Sequence, residues 1–92
     1  MSYTCRGINY RNPMTLSHFN KLSLHEKGEY TFKSLDVSFV AFRDYYNHRI
    51  TLYASGSFFI EVYFFPDENR ITMIEGIEES HKHIDLYIKK MS

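Results

Sequence analysis

The segment that decides the fold is residues 37–65, which reads VSFVAFRDYYNHRITLYASGSFFIEVYFF. It is rich in β-branched and aromatic side chains, which suit the half-buried surface of a sheet. Two groups of turn residues divide it, at Tyr46-Asn47-His48 and at Ser55-Gly56-Ser57. The pattern predicts three strands, at about residues 37–45, 49–54 and 58–65. Connections this short make neighbouring strands antiparallel, so we expect a meander.

The regions on either side of this segment predict one more strand and three helices. Residues 70–75 predict a fourth strand that ends at Gly76, and residues 79–90 predict a C-terminal helix. Upstream, Thr15 is a candidate N-cap for a short helix over residues 16–21. Ser23 and Glu26 have the spacing of a capping box, which predicts a second helix to about Lys33.

These elements define an α+β fold class. We predict an N-terminal helical region, a four-stranded antiparallel β-meander and a C-terminal helix packed on one sheet face. Residues 1–13 are polar and lack an apolar period, so they are expected to form a flexible N-terminal tail. Residues 14–92 are expected to form a single α+β domain.

The alternation of side chains along the strands separates the two faces of the sheet. We expect the helices on an aliphatic face that includes Ile50, Leu52 and Ile60. The other face collects tyrosines, arginines, phenylalanines and one acid: Arg43, Tyr45, Arg49, Tyr53, Phe59, Glu61, Tyr63 and Phe65. Tyrosine and arginine are enriched at interfaces, which favours a binding or interface role for this face.

The predicted Tyr/Arg face has three interpretations at this point. It is a homodimer or partner surface, a self-contained surface partly covered by the N-terminal tail, or a small-ligand pocket. We expect Glu61 to pair with Arg43 or Arg49 across the strands, because opposite charges on neighbouring strands attract.

Charge and cysteine content limit the classes of partner and compartment. The 92 residues contain 11 basic and 11 acidic side chains, so the formal net charge is zero. A basic footprint for nucleic acid is missing, and a neutral chain favours self-association. The single cysteine, Cys5, forms no internal disulfide, and no apolar run reaches transmembrane or signal-peptide character. We therefore predict a cytoplasmic protein without a membrane partner.

The sequence contains no complete catalytic or metal-binding motif. The pair His81 and His83 is spaced i, i+2, which directs the two side chains apart on a helix and makes a poor chelate. His48 near Asp44 is a candidate general base, although turn histidines beside acids are usually incidental. No catalytic residue, metal or cofactor is predicted.

Five short stretches carry a resemblance to a known group of proteins. They are FNKLSLHEK at residues 19–27, RDYYN at 43–47, ITLY at 50–53, FFIEVY at 58–63 and IEG at 74–76. Through them the chain from Met14 onward resembles a group of short bacterial proteins without an assigned activity. The resemblance implies a stand-alone intracellular domain and no mechanism.

The leading functional hypothesis is therefore a small, non-enzymatic protein-interaction or regulatory module. It would self-associate through the Tyr/Arg face as a homo-oligomer or bind a protein partner there. The alternative is a small-ligand-binding domain that uses the same face, and an enzyme is the least favoured class.

Overall fold

The structure is a computed structural model that describes residues 14–91, with side chains as far as Tyr87. The predicted N-terminal tail and Cys5 lie outside the described residues.

Two short helices open the described chain, and both begin at the predicted caps. Helix α1 spans Leu16–Asn20, and the Thr15 hydroxyl accepts a hydrogen bond from the His18 backbone N–H. Helix α2 spans Leu24–Lys33 and begins with a complete capping box. The Ser23 hydroxyl accepts from the backbone N–H of Glu26, whose carboxylate accepts from the N–H of Ser23. The predicted helical region is confirmed.

The sheet contains four antiparallel strands in chain order. Strand β1 spans Val37–Tyr45, β2 His48–Ser55, β3 Phe58–Phe65 and β4 Arg70–Ile77, with a single 3-10 turn at Pro66–Glu68 between the last two. Helix α3, Lys82–Met91, follows and contacts the sheet. The predicted α+β class and meander are confirmed.

Helix α3 begins three residues later than the predicted start at Glu79. The ring nitrogen Nδ1 of His81 accepts a hydrogen bond from the backbone N–H of His83 at 3.1 Å. An acceptor side chain at this position satisfies a free donor of the first turn, as an N-cap residue does. The helix therefore starts directly after His81.

Helices cover both faces of the sheet, whereas the sequence predicted them all on one. Face 1 is the face that carries Phe58, Ile60 and Val62, and these side chains form a core with Phe19 of α1. Face 2 carries the alternate residues of β3, and its core contains Tyr87 of α3. The other buried members of that second core are Ala41, Ile50, Leu52 and Ile77.

The assignment of β2 to the two faces is also corrected. Ser55 pairs directly with Phe58, so only Gly56 and Ser57 form the loop between β2 and β3. The prediction assumed a loop of three residues, from Ser55 to Ser57. A shift of one residue turns every side chain of a strand to the opposite face. Ile50 and Leu52 therefore lie under α3 and not on the aliphatic face.

Within residues 14–91, no helix has the length and apolar character needed to cross a membrane.

Candidate functional site

The eight residues of the predicted Tyr/Arg face do not share one face. Tyr53 pairs with Ile60 and Arg49 with Phe64, which places both on face 1. The other six lie on face 2: Arg43, Tyr45, Phe59, Glu61, Tyr63 and Phe65. The prediction of one continuous face is wrong for Arg49 and Tyr53 because of the β2 register. A binding role for the individual residues stays a prediction.

Glu61 is the centre of a polar cluster on face 2, and its side chain is fully buried. Carboxylate oxygen Oε1 accepts one hydrogen bond from the Tyr63 hydroxyl at 3.2 Å, and it also pairs with His83 Nδ1 at 2.9 Å. Oxygen Oε2 accepts from the Tyr87 hydroxyl at 2.8 Å and from Arg43 Nη2 at 3.4 Å. We call these five residues the Glu61 cluster. A buried carboxylate needs such a set of donors, because it has lost its hydration shell.

Three elements of the fold bring the Glu61 cluster together. Arg43 lies on β1 and Glu61 on β3, one on each side of β2 and on the same face. His83 and Tyr87 are four residues apart on α3, so their side chains point from the same side of the helix. The expected pair of Arg43 with Glu61 is confirmed, whereas Arg49 pairs with Asp44 on face 1 at 3.1 Å.

The electrostatics of the cluster favour a charged carboxylate. Burial alone would raise the pKa of Glu61, but the hydrogen bonds from His83 and Tyr87 and the charges of His83 and Arg43 outweigh it. The pKa is therefore lowered from its ordinary value. Burial and the neighbouring Glu61 charge raise the pKa of Tyr63 to about 12. Burial, together with the hydrogen bond to Glu61, also raises the pKa of Tyr87, so both phenols remain donors at neutral pH.

Arg43 is the fixed positive charge of the cluster, and only 8% of the residue is exposed. Its guanidinium carbon lies 5.6 Å from the centre of the Tyr45 ring and 5.3 Å from that of the Tyr87 ring. These distances suit cation–π contacts. The Nε atom of Arg43 is buried and has no hydrogen-bond partner among the described residues.

The structure does not bring together the candidate general base and its acid. The His48 ring stacks on Phe65 with centroids 5.0 Å apart, and Asp44 is engaged with Arg49. Over residues 14–91, no group of three or more histidine, cysteine or acidic side chains is arranged to hold a metal ion.

Sequence reasoning missed His83 and Tyr87 as members of the Glu61 cluster. The available signal was their spacing of four residues combined with Glu61, the single acid within an apolar strand. A lone buried acid needs donors, and a helix that presents two donors on one side supplies them.

A second region of interest is an exposed aromatic surface on face 1. It consists of Phe32 from α2, Phe39 and Phe42 from β1, and Tyr53 from β2. The Tyr53 ring contacts those of Phe32 and Phe39 edge to face, with centroids 6.0 and 6.2 Å apart. The three phenylalanines keep 52%, 60% and 42% of their area exposed. Contiguous apolar exposure of this kind is typical of interaction sites.

A groove of about 240 Å³ adjoins the aromatic surface through Phe32. Its lining is mainly apolar and comes from α2 and β4: Leu24, His25, Gly28, Glu29, Phe32, Lys33, Ile71 and Ile74. The volume is below the range of about 300–1,000 Å³ that is typical of small-molecule pockets. The groove therefore suits a single apolar side chain better than a cofactor.

The two outer strands of the sheet differ in how their edges are covered. On β4, the Asn20 side chain donates to the Gly76 carbonyl at 3.1 Å and accepts from the Gly76 N–H at 2.8 Å. Lys27 donates to the Ile74 carbonyl at 3.0 Å. Strand β1 pairs only with β2 in the described part of the chain, and its residues 37–42 include no charged side chain.

Comparison with known proteins provides no relative for this chain: no family model, curated protein or solved structure matches it. The resemblance to short bacterial proteins accordingly stays a prediction.

Proposed function

We propose that this chain is a non-enzymatic protein-interaction module that self-associates through the edge of β1 and the adjoining aromatic surface. The observation that carries the proposal is the exposure of Phe32, Phe39 and Phe42 on the face that carries Tyr53, next to residues 37–42 of the edge strand, which have no charge. The site therefore differs from the predicted Tyr/Arg face, most of which belongs to the face under α3.

The edge of β1 favours pairing with another strand. Natural edge strands are usually protected by charges, prolines or bulges. Residues 37–42 carry neither charge nor proline, and the one protecting feature among them is the bulge at Val40, between the paired residues Phe39 and Ala41. An edge with so little protection is expected to have a partner strand or a cover.

A second copy of the chain is the partner that fits this surface best. Two-fold symmetry brings equivalent β1 strands together antiparallel, and it brings each surface against itself. The surface carries both members of the Asp44–Arg49 ion pair, and the Arg49 guanidinium lies 4.6 Å from the Phe42 ring centre. Charges of both signs beside aromatic rings permit self-complementary contacts, and the zero net charge adds no long-range repulsion.

A cytoplasmic localisation, without a membrane or nucleic-acid partner, is part of this proposal. Its support is the even charge balance and the sequence features described above.

The proposal is tested by measuring molar mass in solution by light scattering over a dilution series. The wild-type chain is expected to form a dimer, and Phe39→Lys to shift dissociation to at least about 100-fold higher concentration, since a buried like-charge pair opposes association. The stability of the folded chain should change by less than about 0.5 kcal/mol, because Phe39 is exposed.

The matched control is Met73→Lys, which changes an exposed apolar strand residue on face 2. It should leave the dilution profile unchanged. A wild-type chain that remains monomeric at about 100 µM would contradict self-association. A dimer that resists Phe39→Lys but yields to Met73→Lys would move the interface to face 2.

A further inference from the structure

We propose that Glu61 holds α3 on the sheet through its negative charge, and that neutralising it releases this helix while the sheet, α1 and α2 stay folded. Helix α3 then covers face 2 and can detach from it while the rest of the chain stays folded. This inference concerns the face opposite the aromatic surface and does not depend on self-association.

The hydrogen bonds of Glu61 connect two layers of the molecule. Each carboxylate oxygen takes one partner from the sheet and one from α3: Oε1 pairs with Tyr63 and His83, and Oε2 with Arg43 and Tyr87. Among the described side chains of α3, only Ile84 and Tyr87 pack against the apolar core of face 2. Among the described side chains, the Glu61 carboxylate is therefore the main polar attachment of the helix.

The attachment of α3 depends on the negative charge of the Glu61 side chain as well as on its shape. The two phenols and the guanidinium donate to the carboxylate, and His83 donates when its Nδ1 carries the proton. A protonated acid or an amide has no negative charge, and one of its two polar atoms donates a hydrogen, so the partners of that atom must accept instead of donate. A phenol or a neutral imidazole can make this change, whereas the guanidinium of Arg43 cannot. Neutralisation by either route also removes the negative charge beside the buried Arg43 guanidinium, and a buried charge without its partner is costly.

The charges that face Glu61 make its neutralisation decisive. Arg43 faces it from β1, Tyr63 lies on the same strand, and Glu75 lies directly opposite on β4. The β2 neighbour is Leu52, which has no charge. From α3, His83 forms an ion pair with Glu61 when protonated. Once Glu61 is neutral, the buried Arg43 guanidinium loses the ion-pair partner that it has among the described side chains.

The remainder of the fold has a core of its own. On face 1, Phe19 of α1 packs with Phe58, Ile60, Val62 and Ile74, and α3 contributes no described side chain to this cluster. Local opening of one element with the rest intact is common where the element is anchored by few contacts.

Amide hydrogen exchange read by mass spectrometry on the full chain tests the proposal. At pH 7, Glu61→Gln should lower the protection of the amides in residues 82–91 by at least about tenfold, and that of β2 and β3 by less than about twofold. The control is Glu75→Gln, which removes a neighbouring acid of the same face and should leave α3 protected.

A second variant keeps the test decisive if Glu61→Gln fails to fold. Tyr87→Phe retains the ring and removes one of the two bonds from α3, so it should lower protection in α3 alone, by about three- to tenfold. Equal loss of protection in α3 and in the central strands would overturn the proposal and make Glu61 a general core residue. Unchanged protection of α3 in both variants would also overturn it, because the helix would then be held by apolar contacts.

Discussion

The two edges of the sheet are covered in opposite ways. On β4, the Asn20 amide satisfies both backbone groups of Gly76, and Lys27 takes the Ile74 carbonyl. On β1, the described residues supply no comparable cover, and the apolar side chains of Phe39 and Phe42 remain exposed beside the edge. A protected edge cannot easily pair with another strand, whereas an unprotected edge can. The difference therefore favours β1 as the edge at which a partner strand would add.

The cover of β4 requires a glycine at one position. A Cβ atom on Gly76 would lie 2.8 Å from Leu16 Cδ1, 3.0 Å from Phe19 Cδ2 and 3.1 Å from Asn20 Oδ1. Because Gly76 has no side chain, α1 approaches β4 closely enough for the Asn20 amide to reach the strand backbone. The edge is therefore protected by a close approach of a helix and not by charges on the strand.

Among the variants that test the difference between the two edges, Gly76→Ala is expected to have the largest effect. The new methyl group pushes α1 away from β4, and overpacking against the fully buried Phe19 should cost about 3 kcal/mol of unfolding free energy. Urea denaturation measures this loss. The control is Gly28→Ala in α2, whose Cβ would meet no atom closer than 3.8 Å.

That control should stabilise the chain by about 0.5–1 kcal/mol, because alanine is the better helix former. If both variants lose the same free energy, α1 does not depend on the close approach at Gly76.

A smaller effect is expected from Asn20→Ala. This change removes both hydrogen bonds to Gly76 and should cost about 2 kcal/mol in urea denaturation, because two backbone groups lose their partners. It should also make β4 a second pairing edge, so light scattering should detect species larger than a dimer. Asn20→Asp keeps the acceptor and loses the donor, and an intermediate loss would show that both bonds contribute.

A change of pH is expected to have the smallest effect, since burial and hydrogen bonding act on the Glu61 carboxylate in opposite directions. Its pKa is lower in the folded chain than in the unfolded chain. The stability it contributes is therefore present above the unfolded pKa of about 4.3 and is lost as the pH falls through the folded value.

Urea midpoints measured between pH 7 and pH 3 should fall more for the wild type than for Glu61→Gln. A parallel decline of the two proteins would show that other acids carry the pH dependence. The carboxylate that titrates is bonded to α3, which contacts β1, whereas the Asn20 amide that covers β4 does not titrate.

The strands and the starts of α1 and α2 were predictable because local chemistry determines them. The alternation in β3 and the capping box at Ser23 and Glu26 are read directly from neighbouring residues, and the structure confirms both elements. The faces of β2 were not predictable to the same degree. They depend on whether Ser55 belongs to the turn or to the strand, and that choice of one residue reverses the whole strand.

The side of the sheet on which α3 lies was also beyond local reasoning. An apolar stripe predicts that a helix packs, but it does not say against which face. The residue that distinguishes the faces is Glu61, whose buried carboxylate pairs with His83 and Tyr87 of α3. That pairing links positions more than 20 residues apart, so it becomes visible only when the chain is folded.

The position of α1 in the chain has a consequence for folding during synthesis. Chains emerge from the ribosome N-terminus first, so the segment that carries Asn20 is available before β4 has been made. The hairpins of a meander then form from contacts that are close in sequence, which favours rapid folding. Strand β4 therefore meets its cover as soon as it emerges, whereas α3, the last element, closes face 2 only after the sheet is complete.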